Sequence, residues 1–259
     1  LYTYTLGYEY TKNEQMGENP LNDQLDGKVA LVTGAAGSLG HAVARQLEQA
    51  GARLALFDRA ETRLYTLYPD WVESRRHLLV GSIDLVDQDA VNEAVSTLVE
   101  TFGKVDILAN IAGGYRAGTP VHEIQDQEWE FMLDLNARTV LNMSRAVVPH
   151  MLKRSYGKVI NIGARPGLKG VSKAGPYAAS KSAVMRITES MSAELKHKGI
   201  NINCVIPGTI DTPDNRENMP DANFERWVPL EDLAKVILFL SSDSSRAIHG
   251  ALIPVYGAG

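Results

Sequence analysis

The sequence predicts one α/β domain: a doubly wound parallel sheet with helices on both faces. Two observations carry this expectation. From Gly27 onward, short apolar runs alternate with longer amphipathic stretches, and strand–helix alternation of this kind implies βαβ units with right-handed crossovers. A glycine-rich turn, Thr33-Gly34-Ala35-Ala36-Gly37-Ser38-Leu39-Gly40, joins the first apolar run to the first amphipathic stretch. No repeat or linker divides residues 27–259, so a single domain is expected there.

The elements follow in order. Lys-Val-Ala-Leu-Val-Thr at 28–33 reads as the first strand, and the amphipathic stretch 39–51 as the first helix. Apolar runs at 53–58, 77–83 and 105–110 read as the next three strands, with a helix over 87–102. A long helix is expected over 126–154, then a strand at 157–162, a second long helix over 175–198 and a strand at 200–206. A helix over 230–242 and a strand at 251–255 complete the pattern. The segment 208–229, with Pro213, Pro220, Pro229 and many charges, is a long insertion of the kind that serves as a lid or substrate loop. Residues 1–26 differ in composition: Leu1 to Tyr10 is rich in tyrosine and polar residues follow. A flexible tail is expected there, although the alternating Tyr/Thr pattern would also suit a strand added to a neighbouring subunit.

Composition excludes several functional classes. Hydrophobic residues make up 44% and charged residues 22% of the chain, as in an ordinary globular protein. A formal charge of −5 and the lack of a basic stripe argue against nucleic acid as partner. The single cysteine, Cys204, lies in an apolar run and is expected to be a small buried residue, as suits a reducing cytoplasm. No apolar stretch approaches the roughly 20 residues that span a bilayer. The first residues also lack the basic-then-apolar order of a signal peptide. A soluble, cytoplasmic protein without membrane contact is therefore expected. The six histidines show no metal-ligand spacing, so no metal is predicted. Trp71 and Trp129 fall in helical patterns and read as packing residues.

The glycine turn carries chemistry if a helix starts at its end. Gly34, Gly37 and Gly40 would then let backbone N–H groups approach a pyrophosphate at the helix N-terminus. The second strand ends in Asp58, 24 residues after Gly34. A carboxylate there accepts hydrogen bonds from ribose hydroxyls and repels a 2′-phosphate. NAD is therefore expected over NADP, with Arg59 partly offsetting the repulsion. Further along, Tyr177 and Lys181 occupy positions i and i+4. On a helix these share a face, so the Lys181 ammonium is expected to lower the Tyr177 pKa towards the range a proton donor or acceptor needs.

Together these residues resemble the short-chain dehydrogenase/reductase family, across nearly all of residues 27–257. The resemblance implies a Rossmann-type fold, an NAD(P)-dependent oxidoreductase and a small-molecule substrate. The family's turn reads Thr-Gly-x-x-x-Gly-x-Gly, and Ser38 stands at its middle glycine, with Leu39 beside it. Asp84-Leu85 matches the position beside the adenine ring. Asn110, Ala112 and Gly113 match the turn after the fourth strand. Asn136 matches the asparagine that anchors a proton-relay water, and Pro207, Gly208 and Thr212 match the nicotinamide-carboxamide segment. In this family the two long helices pair across subunits, which implies a homodimer or homotetramer.

One departure matters most. The family's catalytic serine lies thirteen residues before the tyrosine, where this chain has Ala164 within Asn161-Ile162-Gly163-Ala164-Arg165. Losing one oxyanion-stabilising donor costs on the order of 10²–10³ in rate. An alanine there resembles the dihydropteridine-reductase branch. So do Ala112-Gly113-Gly114-Tyr115 and the stretch from Asp211-Thr212-Pro213 to Trp227. The leading expectation is reduction of a quinonoid dihydropterin or a similar conjugated substrate, with Tyr177 as acid/base and Lys181 and Asn136 in support. In that reading Tyr115 and Trp227 flank a flat ring, and Arg165 contacts the substrate or replaces the missing donor. Two alternatives stand beside it: an alcohol dehydrogenase or ketone reductase that tolerates Ala164, and a cofactor-binding regulator without efficient catalysis.

Overall fold

A computed structural model describes residues 24–258. Seven strands form one parallel sheet: β1 Val29–Thr33, β2 Arg53–Phe57, β3 Leu78–Val80, β4 Ile107–Asn110, β5 Gly157–Ile162, β6 Ile200–Pro207 and β7 Leu252–Val255. Their spatial order is β3-β2-β1-β4-β5-β6-β7. Progression reverses between β1 and β4, and open parallel sheets bind ligands at such a switch point. β1, β4, β5 and β6 are buried along their whole length, as a sheet covered on both faces requires.

The helices are α1 Ser38–Gln49, α2 Glu61–Leu67, α3 Gln88–Phe102, α4 Asp126–Leu133, α5 Thr139–Arg154, α6 Arg165–Leu168, α7 Gly175–Leu195, α8 Pro213–Asn218 and α9 Leu230–Ser241. α1 and α9 bury Val43, Leu47, Leu233 and Ile237 against one face of the sheet. α3 and α5 bury Val91, Leu98, Val147 and Met151 against the other. Local chemistry sets several ends. Asp87 caps α3 by accepting from the N–H groups of Asp89 and Ala90, and Gly103 ends it at φ 74°. Thr212 caps α8 through the Asn215 N–H, with Pro213 in the first turn.

All seven expected strands are present, and four details differ from expectation. The single helix expected over 126–154 is split by one wide π turn, Asp134–Arg138. α2, α6 and, within the expected 208–229 loop, α8 were not expected, because all three are too short to show a helical period in the sequence. β3 is shorter than 77–83, since the chain turns at Ser82 (φ 54°), whose hydroxyl donates to Glu61. Finally, packing begins before Gly27: Leu25 is fully buried and its N–H donates to Ala50 O. The boundary drawn at residue 26 thus falls inside the folded region, while the expected tail over residues 1–23 lies outside the described residues. No helix among the described residues is long and apolar enough to cross a membrane.

Candidate active site

Register aligns the strand ends that build the site. Thr33 pairs with Asn110, Asn110 with Asn161, and Asn161 with Cys204. The Thr33 hydroxyl accepts from the N–H groups of Ile111 and Ala112 at 3.1 Å each, tying the β4 turn to the end of β1. Asn110 donates to Asn161 at 2.8 Å, and Asn161 donates to Thr188 of α7 at 2.9 Å. A buried polar row therefore runs from the glycine turn to the helix that carries Tyr177 and Lys181.

A cleft of about 720 Å³ opens at the switch point. Gly34, Gly37, Ser38, Leu39 and Gly40 line it, together with Asp58, Arg59, Asp84, Leu85, Ala112, Gly113 and Thr212. Two glycines are required by close approach. A Cβ on Gly40 would lie 2.0 Å from Gly34 O, and one on Gly34 (φ +65°) would lie 2.8 Å from the Ala112 Cα. Ser38 is tolerated at the middle position because it opens α1 and faces the open cleft. Both turns thus present backbone rather than side chain, as a pyrophosphate at the N-terminus of α1 needs.

The turn is braced from two sides. Asp58 accepts from the Ala36 N–H at 2.8 Å with one oxygen and from the Ala60 N–H at 2.7 Å with the other. Tyr68, fully buried on the segment after α2, donates its hydroxyl to Ala35 O at 3.0 Å. Each carboxylate oxygen of Asp58 keeps a lone pair for a ribose hydroxyl. These features fit a dinucleotide, with the pyrophosphate on the glycine turn and the adenosine ribose at Asp58. Asp84 and Leu85 form the next wall, where Asn142 pins the Leu85 and Val86 carbonyls at 3.0 and 2.9 Å.

Gly113 connects the cleft to the proton-handling groups. A Cβ there would lie 2.7 Å from Asn136 Oδ1 and 3.3 Å from Lys181 Nζ. Asn136 sits in the π turn, and its side chain clamps Gly114 in both directions: Oδ1 accepts from the Gly114 N–H and Nδ2 donates to Gly114 O, each at 3.1 Å. Nδ2 also donates to Met132 O at 3.2 Å, so both of its donors are used. A π turn places one extra residue in the helix, and such turns recur at functional sites.

Lys181 is buried and donates to Ile162 O at 2.9 Å. Burial pulls its ammonium down to about 8, with the Cys204 thiol raising it slightly. The phenol of Tyr177 is pushed up to about 12, mainly by burial and further by Tyr115. The expected depression by Lys181 is therefore absent. Sharing a helix face is not enough when the cation is turned to a backbone carbonyl and the phenol is desolvated. Tyr177 is a protonated phenol at neutral pH, in the state of a proton donor. Tyr115, 68% exposed, meets its ring edge-on at 4.8 Å.

The remaining expected residues divide. Pro207 ends β6, and the Gly208 N–H donates to Val255 O at 2.8 Å. Asn110, Asn136, Tyr177, Lys181, Pro207 and Gly208 do not line the cleft itself. Ala164, two residues past β5 at the N-cap of α6, is a buried methyl, and the exposed Arg165 lies over the Tyr256 ring at 4.7 Å. Trp227 departs from expectation: it is only 9% exposed and packs on Phe224 at 4.7 Å. It anchors the end of the 208–229 loop, where the Val228 N–H donates to Thr209 O and the Asp211 N–H to Val228 O. Arg63 and Thr139 line the cleft without having been expected, whereas Asp214 and Asn215, which also line it, belong to the stretch from Asp211 to Trp227 that carried the resemblance. Among the described residues, no group of three or more His, Cys, Asp or Glu could hold a metal.

Fold and site define a class: a dinucleotide-dependent oxidoreductase, with its cofactor cleft at the sheet's switch point and a tyrosine–lysine helix beside it. The short chain dehydrogenase family model matches residues 28–223, and the chain belongs to that family. It is 33% identical over 248 residues to a 3-oxoacyl-[acyl-carrier-protein] reductase of Thermotoga maritima, covering 90% of this chain and 98% of the relative. It is 31% identical to a 2,3-dihydro-2,3-dihydroxybenzoate dehydrogenase of Bacillus subtilis, covering 84% and 90%. The crystal structure of carveol dehydrogenase from Mycobacterium avium in complex with NAD superposes with a TM-score of 0.82 at 28% identity, covering 92% of this chain and 99% of that one. The protein is a nicotinamide-dependent oxidoreductase.

Proposed function

We propose that this protein is an NADH-dependent reductase of an electron-poor conjugated ring, a quinonoid dihydropterin or a close chemical relative. The observation that carries the reading is Ala164. It follows β5 as a buried methyl at the N-cap of α6 and offers no hydrogen bond to a developing alkoxide. Hydride delivered to a conjugated C=N system spreads charge through the ring, so a single oxygen is not the site that needs a donor. The protonated Tyr177 supplies the proton, and the exposed Tyr115 ring beside it offers an aromatic edge to a flat substrate. Asn136 holds the Gly113-Gly114 turn in register with Lys181. A bound nicotinamide supplies or receives the hydride. Asp58 in the cleft supports NAD over NADP. Half-exposed Trp129 on α4 and Leu152 on α5 support a homodimer or homotetramer.

A second reading, reduction of ketones or oxidation of alcohols, is favoured by the relatives named above. One assay separates the two: NADH oxidation with quinonoid dihydropterin beside a panel of ketones. Turnover of the pterin with weak ketone activity is expected. Ala164→Ser should raise ketone reduction by on the order of 10²-fold with little change in NADH affinity. Fast wild-type ketone reduction with no pterin turnover would overturn the first reading.

A further inference from the structure

We infer that the substrate carries a carboxylate and that Arg165 receives it. The position of the reacting group rests on the reductase reading above, while the anion rests on separate observations.

Arg165 directly follows Ala164 and opens α6. That helix is pressed on α7 so closely that a Cβ on Gly167 would lie 2.9 Å from the Lys181 carbonyl carbon. The Arg165 guanidinium lies 4.7 Å from the centre of the Tyr256 ring. The Tyr256 backbone abuts Gly208, where a Cβ would meet Tyr256 O at 2.7 Å. Arg165 thus opens a short helix packed on the helix of Tyr177 and Lys181, and its exposed guanidinium lies over the Tyr256 ring, just past β7. An aromatic face holds a guanidinium without consuming its N–H donors. Among the described residues, Arg165 has no ion pair and no hydrogen bond. Its planar fork is free, and a carboxylate is the group that fork matches bidentately.

The surroundings carry the same sign. Segment 163–176 holds Arg165, Lys169 and Lys173 and has no acidic residue. Segment 111–120 adds Arg116, which lies over the Phe131 ring, while its Thr119 donates to the Glu128 carboxylate at 3.0 Å. The two are joined by the Gly118 N–H, which donates to Lys173 O at 2.8 Å. In a chain of net charge −5, this is a local reversal. No acid of the 208–229 loop pairs with the exposed Arg165. Asp211 is clamped by Arg216 at 2.6 and 2.7 Å, Asp214 lines the dinucleotide cleft, and Glu217, Asp221 and Glu225 are exposed. The excess of cations in segment 163–176 favours organic anions there, and the unpaired fork fixes their orientation.

The test uses the full chain saturated with NAD⁺ and two matched probe pairs, each titrated by calorimetry. One pair is pterin-6-carboxylate and 6-methylpterin; the other is phenylglyoxylate and its methyl ester. In at least one pair the carboxylate should bind roughly tenfold tighter, the scale of a hydrogen bond to a charged group. Arg165→Gln should erase that preference, whereas Arg165→Lys, which keeps the charge but not the fork, should retain part of it. No preference in either pair, including no binding at all, overturns the inference, as does a preference that survives Arg165→Gln. A preference confined to the keto acid would sink the pterin reading and leave Arg165 assigned. Pterin binding without any preference would do the reverse.

Discussion

The residues that hold the cofactor turn are not all residues that would touch a cofactor. Ala36 is fixed through its N–H by Asp58, and Ala35 through its carbonyl by Tyr68. Asp58 was legible in the sequence because its distance from the glycine turn carries meaning. Tyr68 was not, since its partner lies 33 residues away and nothing local marks the contact. Tyr68→Phe removes only the hydroxyl and leaves Ala35 O unpaired in a buried position, a loss of about 1–2 kcal/mol. We predict that NADH binding, read by nicotinamide fluorescence, weakens several-fold while kcat changes little. Unchanged NADH affinity with a lowered Tm would show that the hydroxyl serves folding alone. Tyr177 and Lys181 give the opposite lesson. Their spacing was legible, but their protonation was not, because burial and a backbone carbonyl decide it.

At the scale of elements, α2 and the segment after it do more than connect β2 to β3. They deliver Tyr68 and Trp71, which stack at 4.8 Å, and Trp71 stacks on His77 at 4.1 Å. Arg45 of α1 lies over both Tyr68 and Trp71. The His77 Nδ1 accepts from the Leu54 N–H of β2 at 3.2 Å, so the ring must be neutral at that nitrogen. Burial, with Arg76 and Arg45 nearby, pushes its pKa down from 6.5 to about 4. The unfolded chain therefore binds a proton that the folded chain refuses over this interval, and stability falls as pH drops through it. The contribution is on the order of 3 kcal/mol across the window. His77→Asn keeps an acceptor for Leu54 but does not titrate. We expect the variant to have a lower Tm near neutrality and a flatter decline of Tm between pH 6.5 and 4. Parallel declines would show that His77 is not the titrating group. Trp71 as a packing residue and the strand near His77 were legible singly, but their stacking with Tyr68 was not, because a seven-residue helix leaves no readable period and nothing local marks the contacts. The π turn escaped the sequence for a related reason: one extra residue inside an unbroken helical pattern does not interrupt its apolar face.

Across the whole molecule, the doubly wound parallel sheet was legible because strand–helix alternation and right-handed crossovers leave few alternatives. What joins the two halves of the site was not: Thr33 and Asn110 were marked by their turns, but nothing local tied them to Asn161 near the end of β5 or to Thr188 inside α7. Through this row and the Asp58 brace, the cofactor cleft is continuous with the core of the fold, and cofactor binding should be visible as global stability. At about 100 times its dissociation constant, NADH adds about 2.7 kcal/mol, or roughly 5–10 °C in Tm for a domain of this size. NADPH at the same concentration should give a smaller shift, because its 2′-phosphate meets Asp58, with Arg59 and Arg63 in the same wall. Asp58→Asn is the informative variant, since it removes the charge while its carbonyl can still accept from Ala36. It should bring the two shifts together without collapsing either, whereas Asp58→Ala should also lose the brace and weaken both cofactors. Equal shifts for NADH and NADPH in the wild type would assign discrimination to neither Asp58 nor its neighbours. Asp58 would then remain a brace for the turn, with the arginines balancing its charge.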